Sequence, residues 1–148
     1  MSGLVERLTA RIGEIWGPSD WMTMDQPMIT AYADLSGDRQ WIHIDVERAL
    51  REGPFGAPVA HGLLIFSLVP AMLAGVPWLE AKAGVNYGTD RLRFVSPVRA
   101  GDRIRCHASL TAVQPHGEGA RLTTAVVVEV EGQAKPACIA DMIGIVFV

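Results

Sequence analysis

The spacing of apolar residues changes character near Gly84. Before it, apolar side chains recur at three- and four-residue intervals, the repeat of a helix packed on one side. After it they fall in short runs bounded by turn residues, the pattern of strands. Residues 1–15 mix Glu6, Arg7, Arg11 and Glu14 with apolar neighbours, which predicts a short amphipathic surface helix. Asp25 is placed as the N-cap of a second helix whose apolar face is Met28, Ile29, Tyr32 and Leu35, and that helix should stop at Ser36-Gly37. A turn-rich stretch, Gly53-Pro54-Phe55-Gly56-Ala57-Pro58, leads into His61-Gly62-Leu63-Leu64-Ile65-Phe66 and onward to about Gly75. That segment is apolar on every side, so as a helix it must be surrounded, either wrapped by a sheet or trapped between subunits. Pro70 cannot donate to the carbonyl of Phe66 and should kink it.

The strand runs are 91–95, 103–106, 122–130 and 138–148, separated by Ala100-Gly101-Asp102, His116-Gly117-Glu118-Gly119 and Glu131-Gly132. Connections this short argue for antiparallel pairing. The predicted class is therefore α+β: an antiparallel curved sheet wrapped around one central hydrophobic helix, with residues 1–148 as a single domain. Strands this apolar at a sheet edge usually pair with a second copy, so a homodimer, or a higher homo-oligomer of dimers, is expected.

Composition narrows the function classes. A chain of 148 residues with 49% hydrophobic and 20% charged content is long enough for one sizeable core. A net charge of -3 gives no long-range attraction to nucleic acid or to an anionic membrane surface, so neither is expected as a partner. Two cysteines, Cys106 and Cys138, cannot build a disulfide framework, which points to a reducing, cytoplasmic compartment. The charges in residues 1–15 argue against a signal peptide, and the apolar stretch 63–77, interrupted by Ser67 and two prolines, is too short to span a bilayer.

The candidate chemistry lies in Gly37-Asp38-Arg39-Gln40-Trp41-Ile42-His43-Ile44-Asp45, a segment too irregular for a core strand. A carboxylate and an imidazole that converge on one water can share the proton transfers of hydration, and need no metal to do so. Gly62, at the expected start of the buried helix, would let a substrate carbonyl approach its backbone N–H. On the residues alone, an aspartate and a histidine five apart are more often a cap and a surface histidine, Gly62 serves packing equally well, and His61 more plausibly fixes the loop through a hydrogen bond. Cys106 and His107 would point to opposite faces of a strand, and Gly117-x-Gly119 reads as a hairpin turn, so neither a thiol nucleophile nor a dinucleotide cofactor is implied. No further histidine or cysteine lies close in sequence to Asp38, His43 and Asp45, so no metal is expected; Asp45 reads as the cap of a helix over 46–51. Arg91, Arg93, Arg99, Arg103 and Arg105 suit either phosphate contacts or a solvated strand face.

The run from Leu35 to Asp45, followed by Ala60-His61-Gly62-Leu63, resembles the motif of the MaoC-like (R)-specific enoyl-CoA hydratases: Gly-Asp-x-Asn-Pro-x-His, then a His-Gly that opens the central helix of a hot-dog fold. The resemblance extends through Asn86-Tyr87-Gly88, Arg91-Leu92-Arg93-Phe94 and Pro97-Val98-x-x-Gly101. It implies a hot-dog fold, a catalytic dyad of Asp38 and His43, an oxyanion-hole glycine at Gly62, and substrate contacts at Gln40, Trp41, His61 and Asn86. The implied reaction is reversible hydration of a trans-2-enoyl-CoA to an (R)-3-hydroxyacyl-CoA in fatty acid metabolism, with coenzyme A part of the substrate and no other cofactor. Gln40 and Trp41 replace the usual asparagine and proline, as in the nodulation-protein-N-like branch. Two alternatives share the same pocket, a hot-dog acyl-CoA thioesterase and a non-catalytic acyl-thioester-binding partner subunit.

Overall fold

The computed structural model describes residues 3–74 and 81–147. The chain opens with helix α1 (Gly3–Thr9), which buries Leu4, Val5 and Leu8 and leaves its charged residues outside. Two short strands follow, β1 (Ile15–Trp16) and β2 (Met22–Thr23). Helix α2 (Gln26–Ser36) starts where Asp25 predicts: the carboxylate accepts the Met28 N–H at 2.9 Å, satisfying one of the donors a helix start leaves unpaired. It ends at Gly37, whose φ of 80° is a conformation that glycine adopts without a Cβ clash. The buried face of α2 is Ile29 and Ala33, with Met28 and Tyr32 half-covered; Leu35, expected on that face, is 87% exposed because it lies in the last turn, beyond the contact.

Beyond a short loop, α3 (Trp41–Ile44) is a single helical turn, and α4 (Val46–Glu52) starts at Asp45, whose carboxylate accepts the Arg48 N–H as expected. Residues 58–60 are then held on two sides. The Val59 N–H donates to Ile42 O, the Ala60 N–H donates to Val98 O, and Pro58 O accepts from Ala100. The apolar helix that follows is not one piece. It is divided into α5 (Gly62–Ser67) and α6 (Val69–Met72), with Leu68 between them. Pro70 lacks the N–H that would continue the ladder, so the break falls just before it, and Ser67 Oγ donates to Leu64 O instead. Nor is the segment enclosed on every side within one chain: Leu64, Ile65, Val69, Met72 and Leu73 are buried, but Leu63 is 58% exposed. Residues 75–80, where the helix was expected to end, lie outside the described residues.

The sheet contains β3 (Ala83–Phe94), β4 (Arg103–His116), β5 (Gly119–Val130) and β6 (Cys138–Phe147). Its order is β1-β4-β5-β6-β3, with β2 also on β4, and all pairings are antiparallel. The strands β4, β5 and β6 form the expected meander, and residues 117–118 are its tight turn. The first long strand does not join it by a hairpin: β3 pairs with β6, at the far side from β4, and so becomes an edge. The alternation in β5 is complete, with Ala120, Leu122, Thr124, Val126, Val128 and Val130 inward and the residues between them outward. These inward residues close over α5 and α6 in one core with Ile104, Leu110 and Val98. Burying each Val, Leu or Ile contributes about 1.5–3 kcal/mol, so the contact of helix and sheet is what holds the helix in place. The result is a hot-dog arrangement, a curved antiparallel sheet around a central helix, with the sheet left open at β3.

Candidate active site

The two histidines of the candidate motif, 18 positions apart in sequence, are stacked face to face. Their ring centroids are 3.7 Å apart with a 23° tilt, and Tyr32 from α2 lies 4.8 Å from His61. His43 sits on the single turn of α3 and is 7% exposed; His61 immediately precedes α5 and is 3% exposed. The hydrogen bonds of 58–60 bring them together, because that segment is fastened to Ile42 on one side and to 98–100 on the other.

Each ring is oriented by a backbone carbonyl. His43 Nδ1 lies 2.6 Å from Val59 O, and a carbonyl can only accept, so Nδ1 carries the hydrogen and Nε2 presents a lone pair. His61 Nε2 lies 2.9 Å from Asp38 O, which by the same argument assigns the hydrogen to Nε2 and the lone pair to Nδ1. That Nδ1 is buried without a hydrogen-bond partner. Burial lowers the pKa of His43 below its ordinary value of 6.5, and the nearby His61 lowers it further, against the opposing effects of the Val59 bond and the Asp38 charge. The imidazole is therefore neutral at pH 7, as a proton acceptor must be.

Asp38 lies in the loop after α2, exposed, with its N–H on Ser36 Oγ at 3.2 Å. The three residues Asp38, His43 and His61 each bring one N or O atom within 4.8 Å of the others. The fold thus brings His61, distant in sequence, beside Asp38 and His43.

Gly62 is the first residue of α5, so its N–H has no partner within the helix. A Cβ here would lie 2.5 Å from Cδ2 of Phe94, so the space beside Gly62 is filled by that ring, in keeping with the packing reading. Of the other expected residues, Trp41 is stacked under the Arg48 guanidinium at 4.1 Å. Gln40 stands exposed before α3 without a capping bond, and Asn86 lies on β3. Neither Gln40 nor Asn86 makes a hydrogen bond to the pair. Asn86 instead borders an apolar cavity of about 380 Å³ between α6 and the sheet, lined by Pro70, Leu73, Leu122, Met142 and Ile145 among others. The arginines are mostly engaged: Arg103 with Glu131, Arg105 with Glu129, Arg91 with Asp141, and Arg99 with Phe55 O. Two contributors escaped the sequence reading. Gln26 donates to His43 O at 2.8 Å, and Val59 supplies the carbonyl that orients His43. A backbone acceptor leaves no trace in residue identity.

The model of the MaoC like domain matches residues 7–132. The chain belongs to the MaoC-like dehydratase family. This MaoC-like chain is 43% identical over 141 residues to 3-hydroxyacyl-thioester dehydratase Z of Mycobacterium tuberculosis (strain ATCC 25618 / H37Rv), covering 94% of this chain and 93% of that protein. It is 44% identical over 140 residues to Nodulation protein N of Rhizobium leguminosarum bv. viciae, covering 93% and 87% respectively. Among solved structures it is similar to the (R)-hydratase from A. caviae involved in PHA biosynthesis, with a TM-score of 0.72 and 25% identity over 90% of this chain and 94% of that one. Among the described residues, no helix of this MaoC-like chain is long and apolar enough to cross a membrane.

Proposed function

We propose that this MaoC-like dehydratase catalyses reversible hydration of a trans-2-enoyl-CoA to an (R)-3-hydroxyacyl-CoA, with Asp38 and His43 as the acid/base pair. The observation that carries the reading is the state of His43: neutral, held through Nδ1 by Val59, and clustered with Asp38 and His61 so that one N or O atom of each lies within 4.8 Å of the others. In the hydration direction, His43 Nε2 takes one proton of water as its oxygen bonds to C3. The electrons of the double bond move toward the thioester carbonyl, a proton reaches C2 from the carboxylic acid form of Asp38, and the proton taken up by His43 passes to the resulting Asp38 carboxylate to close the cycle. The Gly62 N–H meets the negative charge that builds on the carbonyl oxygen. Every step is a proton transfer or a polarisation by groups of the chain, so no metal and no cofactor beyond the coenzyme A of the substrate is required.

The names of the relatives support the thioester class and the stereochemistry, one being a 3-hydroxyacyl-thioester dehydratase and another an (R)-hydratase. The apolar cavity bordered by Asn86 offers a bed for the acyl chain. The protein would act in the cytoplasm as a homodimer, paired through the open β3 edge.

The test is loss of the conjugated enoyl-thioester absorbance over a panel of trans-2-enoyl-CoA esters, with thiol release followed in parallel. Loss without thiol, reduced about 10²-fold or more in His43→Gln and in Asp38→Asn, is expected. Thiol release would instead establish a thioesterase, and no reaction across the panel would favour a non-catalytic thioester-binding subunit.

A further inference from the structure

Two buried polar atoms at the site lack a partner, Gln26 Oε1 and His61 Nδ1, and of these it is the histidine nitrogen that belongs to the cluster with Asp38 and His43. His61 Nδ1 is buried and unpartnered, in a ring stacked on His43 and fastened by Nε2–H to the carbonyl of Asp38. A buried acceptor left unbonded carries the cost of its lost hydration, so its retention calls for a partner that arrives from outside the fold. Hydrogen counting says which partner. Water approaching C3 carries two hydrogens. One goes to His43 Nε2 and is lost to it. The other remains on oxygen and becomes the hydroxyl hydrogen of the 3-hydroxyacyl product. Asp38 is committed to the C2 proton, so the retained hydrogen needs an acceptor of its own. Asp38, His43 and His61 each bring one N or O atom within 4.8 Å of the others, so the three side chains face a common point of approach.

We infer that His61 is the third water-binding residue of the site: its Nδ1 lone pair receives the hydrogen that stays on the oxygen, while its Nε2–H holds Asp38 in place. The inference rests on the hydration reading and deepens it. No bond is made or broken at His61. It receives the same hydrogen bond from water before addition and from the 3-hydroxyl group after it, which orients the oxygen with its remaining lone pair toward C3. The Nε2–H tautomer is required throughout, because a hydrogen on Nδ1 would turn the acceptor into a donor.

Two measurements test this. In His61→Gln the amide reaches the position of Nε2 and keeps a donor for the Asp38 carbonyl, but nothing stands where Nδ1 was. The expected result is a melting temperature close to the parent's, kcat lowered about tenfold or more, and KM for the enoyl thioester within about twofold, the pattern of a lost transition-state contact. A kcat within about twofold of the parent would overturn the inference.

The second measurement uses the unaltered protein, so it does not depend on how the variant folds. Nitrogen-15 spectra of the histidine rings should show His61 as the neutral Nε2–H tautomer. Its Nδ1 resonance should move on saturation with a 3-hydroxyacyl-CoA, and not with the saturated acyl-CoA of the same length that lacks the hydroxyl. Binding of both with the same response, or an Nδ1–H tautomer, would overturn the role of His61 alone. Binding of neither ligand would remove the hydration reading, and this inference with it.

Discussion

As the proposed base, His43 combines two demands that oppose each other. It must be buried enough to lose its proton near neutral pH, and it must remain within reach of a water. The structure holds Nδ1 against Val59 O, which leaves Nε2 without a hydrogen, and places His43 in one cluster with Asp38 and His61. The groups that act on its charge are His61, which disfavours the cation, and Asp38, which favours it, with burial the largest effect. Because the folded pKa lies below 6.5, the base form persists to lower pH than in a free imidazole. The acid limb of kcat/KM for hydration should therefore fall below pH 6.5, as a pH–rate profile would show; a limb above 6.5 would contradict the assignment of His43 as base. The same shift makes the unfolded chain the stronger proton binder. This contribution to stability is fully present above pH 6.5 and is lost as pH falls from there through the folded pKa. The residue scale is also where the sequence was most informative. The types and spacing of Asp38, His43 and Gly62 were readable because they match a motif. Val59 was not, since it acts through its carbonyl.

At the scale of elements, the site depends on where three short helices begin. Asp25 starts α2, Asp45 starts α4, and both caps were legible because capping is chemistry between neighbours in sequence. The interruption of the central helix was foreseen only as a kink at Pro70; it falls at Leu68, where the missing donor leaves the preceding turn free to close on Ser67. The start of α5 is constrained differently, by Phe94 reaching across from β3 to fill the space beside Gly62. Gly62→Ala should cost about 1–3 kcal/mol by overpacking against that ring. Phe94→Ala in the same background should recover part of the loss, since it vacates the contested space. Thermal unfolding of the two single variants and the double variant measures the coupling; additive effects would mean that the ring is not what excludes a side chain at Gly62.

At the scale of the whole molecule, the single chain leaves unusual surfaces bare. The edge strand β3 is paired on one side only and exposes Val85, Tyr87 and Phe94, with Val95 just beyond it; Leu63 of the central helix is also exposed. A long unpaired edge of this kind invites another strand. In the proposed homodimer the partner edge would be a second β3, so any charge added there is repeated by symmetry and repels itself. Tyr87→Lys with Val95→Lys should therefore convert a dimer to a monomer, read by light scattering or sedimentation at a common concentration. A parent protein that is monomeric at working concentration would refute the pairing outright.

The sequence by itself determined the class of the fold, the positions of the caps and turns, and which side chains could carry hydration chemistry. These follow from local periodicity and from contacts a few residues apart. Only the tertiary structure decided that β3 lies beside β6 and not beside β4, that Leu35 and Leu63 stay exposed, and that His61 stacks on His43 with an unpaired nitrogen. Those outcomes depend on which surfaces meet after the chain has doubled back, through backbone hydrogen bonds such as Ala60 to Val98 that any residue could make and that no residue type announces.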